Sequence, residues 1–324
     1  FTTTTMSVPK IVPFSEIERV TNDACFDTKL IDAIAKGFAD FSSGKFNLCP
    51  IQTIGAPPMA PLVPNVDNYA AQVCIKSGYV TGNPYFVIKV ASGGHPLKNS
   101  GLMQVYSQET GRLEALLLDE GILTELRTAA AGAVAVKYLG PSTVNRIGMV
   151  GTGIQARYQL RYLKQVTECR NVLLWGRTQE KAEALKEELL KEGWEVEVAH
   201  CANELLESCN IIVTTTCARE AILDGAVTGP LLIVCIGADS VGKQELSVEL
   251  VSKADCLVCD SLLQTQERGE FQHAIREGKV ELEKSVQEIG KVVAAGDASS
   301  GDSNLCIFDA SGVAVQDCVV AQMV

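Results

Sequence analysis

The chain has 324 residues, 47% of them hydrophobic, and a formal net charge of −11. That is enough apolar material for a sizeable core and, by length, about two domains. The acidic balance argues against nucleic acid or an anionic membrane as partner, since both recruit Lys and Arg, and no run approaches the roughly 18 consecutive apolar residues of a membrane span. A cytoplasmic protein acting on small molecules is expected.

The N-terminal "FTTTTMSVPK" lacks the basic start and apolar stretch of a secretory signal. Phe1 is no ordinary initiator, so Met6 is the expected native start and the residues before it are left out of the fold. The twelve cysteines are scattered through apolar segments rather than set at ligand spacings. Reduced core thiols are therefore expected. "CLVC", Cys256 to Cys259, matches C-x-x-C, but Leu and Val between the sulfurs favour a buried strand over a redox or zinc site. With three histidines and no H-E-x-x-H, no metal centre is expected.

In chain order, "TKLIDAIAKGFADFSSGKF" has the spacing of an amphipathic helix. "YAAQVCIKSGYV", "YFVIKVAS" and "GLMQVYSQETGRLEALLLD" read as strands joined by Gly-containing turns, an antiparallel α+β unit. From Leu123 the pattern changes. A small-residue helix "LTELRTAAAGAVAVKYLG" leads to the strand "RIGMV", a helix, the strand "NVLLWG" and the charged helix "TQEKAEALKEELLKEG". The apolar strands "IIVTTT", "LLIVCIG" and "DCLVCD" follow. Alternation at this spacing predicts βαβ units and a doubly wound parallel sheet of Rossmann type. "AAGDASSGDSN" reads as a loop and "LCIFDASGVAVQD" as a strand and turn. The expected division is an α+β domain over 1–122, with 305–324 returning to it, and a dinucleotide-binding domain over 123–304.

"GMVGTGIQARYQL" carries G-x-G-x-x-A at Gly151, Gly153 and Ala156, behind a strand and opening a helix, the context that a dinucleotide fingerprint needs. Gly151 would allow the tight turn, Gly153 the approach of a pyrophosphate to backbone N–H groups, and Ala156 close helix packing. A βα turn that holds nothing could carry the same glycines. The next strand would end in a carboxylate for the ribose of NAD; here it ends in "WGRT". Arg177 and Thr178 suit a 2′-phosphate instead, which favours NADP(H) over NAD(H), with a solvated strand-end arginine as the competing account.

Three charged residues stand where a core would not want them. Lys89 interrupts the apolar strand "YFVIKVASGG"; Arg127 precedes the Ala/Gly helix face of "LTELRTAAAGA"; Asp239 follows the apolar strand of "LLIVCIGADSVGKQEL" at a parallel strand's carboxyl end. A snorkelling lysine, a surface ion pair and a helix N-cap are the structural alternatives. Jointly, a lysine, an arginine and a carboxylate beside a nicotinamide would bind an amino or imino acid by its carboxylate and move a proton at its nitrogen.

From about Tyr69 to Asp317 the sequence resembles the ornithine cyclodeaminase and mu-crystallin family, on "LTELRTAAAGAVAVKYL", "VGTGIQAR", "WGRT" and the ordered trio Lys89, Arg127 and Asp239. "VIKVASGGHPLKNSGLMQVYSQETG" is similar to the family's substrate-lysine segment and "IGADSVGKQEL" to its catalytic-aspartate loop. The resemblance implies a Rossmann domain joined to an α+β domain that forms a homodimer. It implies Lys89 at the substrate carboxylate or nitrogen, Arg127 clamping the carboxylate near the cofactor, Asp239 as general acid/base and Lys243 at the cofactor. The candidate cofactor contacts are then Gly151, Thr152, Gly153, Ile154, Gln155, Arg177, Thr178, Arg127 and Lys243 around NAD(P)H. The sequence lacks the arginine that many members carry ahead of the substrate lysine, and Lys76 in "CIKSGY" is the candidate to replace it. The chain also ends soon after "GVAVQDCVVA", where relatives usually continue into a last helix. The segments look closest to reductases of small imino acids, so NAD(P)H-dependent reduction of an α-imino acid to an L-amino acid, or its reverse, is expected. The alternatives are an ornithine cyclodeaminase with bound NAD and a non-catalytic NADP(H)-dependent small-ligand binding protein.

Overall fold

The structure, a computed structural model, describes residues 8–54, 72–93, 100–296 and 303–324. The expected start at Met6, part of the substrate-lysine segment and part of the loop over 294–304 lie outside these residues. Two compact units form: Phe1–Phe26, Gly44–Arg127 and Ala314–Val324 make the first, Asp27–Ser43 and Thr128–Val313 the second.

The N-terminal part contributes β1 (Lys10–Val12), α1 (Phe14–Thr21), α2 (Phe26–Ser42), β2 (Phe46–Leu48), β3 (Gln52–Ile54), β4 (Gln72–Val80), β5 (Tyr85–Gly93), β6 (Gly101–Ser107), β7 (Leu113–Leu117) and α3 (Ile122–Leu139). In the first unit, strands in the order β1-β7-β6-β5-β4-β2 build one sheet, with β3 also pairing β4. Its pairs are antiparallel except β1 with β7, which is parallel. One face alternates Val87, Lys89, Met103, Val105 and Leu117 into the interior, the period of two that a half-buried strand requires. The C-terminal helix, Ala314–Ala321, lies against β4, β5 and β2. The Cys318 thiol there donates to the Gly78 carbonyl at 3.2 Å.

The second unit takes its sheet from β8 (Ile147–Val150), β9 (Asn171–Trp175), β10 (Glu195–Val198), β11 (Ile211–Thr214), β12 (Leu231–Cys235), β13 (Cys256–Cys259), β14 (Val286–Glu288) and β15 (Leu305–Asp309). Helices α4 (Ile154–Leu163) and α5 (Gln179–Lys191) follow β8 and β9. The order is β10-β9-β8-β11-β12-β15-β13-β14 and every pair is parallel, the doubly wound sheet that the sequence predicts. The central strands β8, β11, β12 and β15 are buried throughout, as a sheet covered on both faces requires.

Two boundaries differ from the sequence reading. Residues 305–309, expected to return to the first domain, instead form β15 between β12 and β13, because "LCIFD" is apolar on both faces and suits the middle of a parallel sheet. The return begins at Ala314, as a helix rather than a turn. Residues 27–43 belong to the second unit: α2 buries Leu30, Ile31, Ile34 and Phe38 at helical spacing, and its Asp27 is bound by Arg161 at 2.7 and 2.9 Å.

The small residues of "RTAAAGA" now have a cause. A Cβ at Gly132 would lie 2.0 Å from the side-chain Oε1 of Gln159, so the glycine leaves room for that amide between α3 and α4. Gln159 in turn donates to the Thr128 carbonyl and the Gln155 side chain, each at 3.2 Å. This fixes the helix that opens from the glycine loop.

Candidate active site

The strand order of the second unit reverses between β8 and β11, the switch point at which open parallel sheets bind ligands beyond their carboxyl ends. The fingerprint glycines sit there. Gly151 has φ +119°, a backbone state closed to side chains, and a Cβ on it would lie 2.5 Å from the Thr215 hydroxyl oxygen at the end of β11. Gly153 caps α4 without any side-chain acceptor for the helix's first N–H groups. A Cβ on Gly153 would meet no heavy atom within 4 Å. Thr152, Ile154 and Gln155 surround this cradle, and Ala156 is fully buried behind it. An exposed helix N-terminus with open backbone in front is a fit for a pyrophosphate. Arg177 and Thr178 stand exposed at the end of β9, and no carboxylate occupies the turn 176–178.

Because the Gly153 backbone (φ −79°, ψ −171°) is open to any residue, Gly153→Ala should leave the melting temperature unchanged. Its methyl should weaken NADH or NADPH affinity roughly tenfold or more by fluorescence titration, because it projects where a pyrophosphate must approach. Unaltered affinity would mean that the phosphates lie elsewhere.

Asp239 lies on the loop after β12, about half exposed, and its Oδ1 accepts from Lys243 Nζ at 2.7 Å and Ser240 Oγ at 2.9 Å. Lys243 also donates to the Gly237 carbonyl at 3.1 Å. No helix begins at this loop, which removes the N-cap account; the next helix, Val248–Ser252, is capped by Ser247. Beneath the loop lies a feature that the sequence reading missed. The buried Glu245 carboxylate accepts from Thr214 Oγ1 at 2.7 Å, Thr216 N at 2.6 Å and Gly237 N at 2.9 Å, tying the ends of β11 and β12 together. Glu270 in turn accepts from the backbone N–H groups of Glu245 and Leu246. Burial raises the pKa of both acids, and the charge of Glu245 pushes Glu270 further up. Asp309 is raised to about 7 by burial and by Asp260. The signal was an acid set directly against apolar residues in "KQEL" and "RGEF".

In the first unit the structure brings Lys76, Lys89 and Arg127 together. Lys76 on β4 and Lys89 on β5 are directly opposite in the antiparallel register, so they share a face, and both are buried, at 7% and 3% exposure. Like charges in that position oppose each other. The Lys89 pKa falls from 10.5 to about 8, first through burial, then through Arg127 and Lys76, against the pull of Asp317. Asp317, on the C-terminal helix, is a further residue that the sequence reading missed. Its Oδ1 lies 3.3 Å from Lys89 Nζ and 3.1 Å from Arg127 Nε, and Arg127 Nη1 donates to the Gln316 side chain at 3.1 Å. A "QD" pair inside an otherwise small, apolar helix was the available signal. Asp119, buried just before α3, accepts from Leu123 N at 3.1 Å, and burial raises its pKa.

Among the described residues no group of three or more His, Cys, Asp and Glu side chains is arranged to hold a metal. None of the described helices is long and apolar enough to cross a membrane. Cys259 is buried and Cys256 partly so, both as free thiols on β13, in keeping with the core reading of "CLVC".

Comparison with known proteins agrees with this fold. The chain is 36% identical over 269 residues to an uncharacterised cyclodeaminase of Sinorhizobium fredii, covering 80% of this chain and 81% of that protein. It is 36% identical over 220 residues to the iminosuccinate reductase of Paracoccus denitrificans, covering 69% of each. The crystal structure of that reductase in complex with NAD+ superposes with a TM-score of 0.85 at 28% identity, covering 97% of this chain and 94% of the other. The sequence pattern of one family matches residues 13–324: the chain belongs to the ornithine cyclodeaminase/mu-crystallin family.

Proposed function

We propose that the protein is an NAD(P)H-dependent reductase of a small α-imino acid bearing two carboxylates, forming the L-amino acid. The observation that carries this reading is the buried, face-sharing pair Lys76 and Lys89 with Arg127 close by. Both ammonium groups stand on one buried face, with Lys89 already beside Asp317, and an imino diacid would bring two further carboxylates to that cationic face. Similarity to an iminosuccinate reductase supports the same substrate class.

When bound, the nicotinamide supplies the hydride that the C=N carbon accepts. Arg127 and Lys89 hold the α-carboxylate, which fixes the orientation of the imine, and Lys76 takes the distal carboxylate. Asp239 delivers the balancing proton to nitrogen, its carboxyl steadied by Lys243 and Ser240. In the reverse direction the same groups take that proton back. Arg177 and Thr178 favour NADPH over NADH, and a homodimer remains part of the reading.

The test is decay of NADPH or NADH absorbance with imines formed from ammonia and oxaloacetate, pyruvate or glyoxylate. Turnover should be fastest with the oxaloacetate imine. Lys76→Ala should lower kcat/KM for that imine about 10- to 100-fold while leaving the pyruvate imine within about threefold. Equal losses on both imines, or none, would sink the dicarboxylate assignment. Similarity to the Sinorhizobium cyclodeaminase favours a second reading, ornithine conversion to proline and ammonia. Ammonia release from ornithine without net change in NAD(P)H would establish it.

A further inference from the structure

The carboxylate of Asp317 is a second-unit-independent feature: it, Lys89, Arg127 and Gln316 all belong to the first unit. It arrives on the C-terminal helix, with a side chain 2% exposed, at ion-pair distance from two cations carried on two other elements, β5 and α3. Asp317 faces Arg127 through Nε, and its neighbour Gln316 takes Nη1. Nε belongs to the Nε/Nη2 edge of the planar guanidinium and Nη1 to the Nη1/Nη2 edge, so the helix meets both edges and Nη2 is the nitrogen they share for a substrate carboxylate. The Lys89 ammonium is drawn to the same oxygen, Oδ1.

We propose that Asp317, with Gln316, is a positioning residue for substrate: the C-terminal helix holds the Lys89 ammonium and the Arg127 guanidinium in one array and fixes the guanidinium so that its Nη2 meets the substrate carboxylate. The inference rests on the imino-acid reading for its substrate, not for its geometry. The charged and titratable groups around Lys89 are Lys76 on β4, Arg127 on α3, Asp317 on the C-terminal helix and Asp119 before α3. Of these, Arg127 and Lys76 favour the neutral amine and Asp317 the ammonium. Removing the Asp317 charge therefore moves deprotonation of Lys89 to lower pH.

The experiment compares the wild type with Asp317→Asn and Asp317→Glu. Asp317→Asn should raise KM for the imine roughly tenfold with a smaller change in kcat, and shift the alkaline limb of kcat/KM to lower pH by about one unit. Asp317→Glu, which restores the charge, should recover part of both and reports on the array even where the amide variant folds poorly. Calorimetric titration with succinate, a dicarboxylate that cannot be reduced, over pH 6–9 should show the same tenfold weakening and the same shift. A pH profile and succinate affinity unchanged in Asp317→Asn would overturn the proposal. Failure of the wild type to reduce any imine, with succinate binding still dependent on Asp317, would instead overturn the reductase reading alone.

Discussion

Replacing Lys89 by methionine should lower kcat/KM for the imine by about a hundredfold or more while making the protein more stable, two effects of opposite sign from one buried ammonium. Methionine keeps the length and burial of the stem and removes the charge. The drop in the Lys89 pKa from 10.5 to about 8 corresponds to about 3 kcal/mol by which the fold disfavours the charged form. The sign follows from linkage. The unfolded chain binds the proton more tightly, so the penalty is fully present below pH 8 and is relieved as pH rises from there past 10.5. Lys89→Met removes the penalty at pH 7 and leaves Asp317 paired with Arg127. The melting temperature at pH 7 should rise by a few degrees, and the gain should shrink by pH 10. A variant that loses both activity and stability would show that Lys89 serves as the counter-ion of Asp317 rather than as a substrate group.

Asp239→Asn should reduce kcat by about 10² to 10⁴, the usual loss when a positioned general acid/base is removed. The amide keeps an oxygen for Lys243 and Ser240, so the loop, anchored from below by Glu245, should keep its shape. Nicotinamide nucleotide affinity by fluorescence should then remain within about threefold of wild type, separating chemistry from binding. Retention of full kcat would assign the proton transfer to another group.

The doubly wound sheet was legible because its strands are apolar on both faces and alternate with helices; the glycine loop was legible because spacing and context coincide in "RIGMVGTGIQA". Lys89, Arg127 and Asp239 stood out as charges within or just beyond apolar runs. Asp317 did not, since its meaning depends on a helix that packs on β4 and β5 far from it in the chain. Glu245 and Glu270 left only the faint mark of an acid beside apolar residues, because their partners are mostly backbone N–H groups. The place of β15 was hidden for a related reason: nothing in "LCIFD" records that it slips between β12 and β13.

The return of the C-terminal helix also bears on how the chain acquires its fold. Arg127 meets Gln316 across 189 positions, with the whole nucleotide-binding sheet synthesised between them. The cations of β4, β5 and α3 therefore emerge from the ribosome long before the carboxylate that offsets them. Until then a partly made first unit has every reason to stay loose, and closing so long an interval is slow. Translation order thus makes the array of Lys89, Arg127, Gln316 and Asp317 one of the last parts of the first unit to set, assembled only once the sheet that follows α3 in sequence has been made.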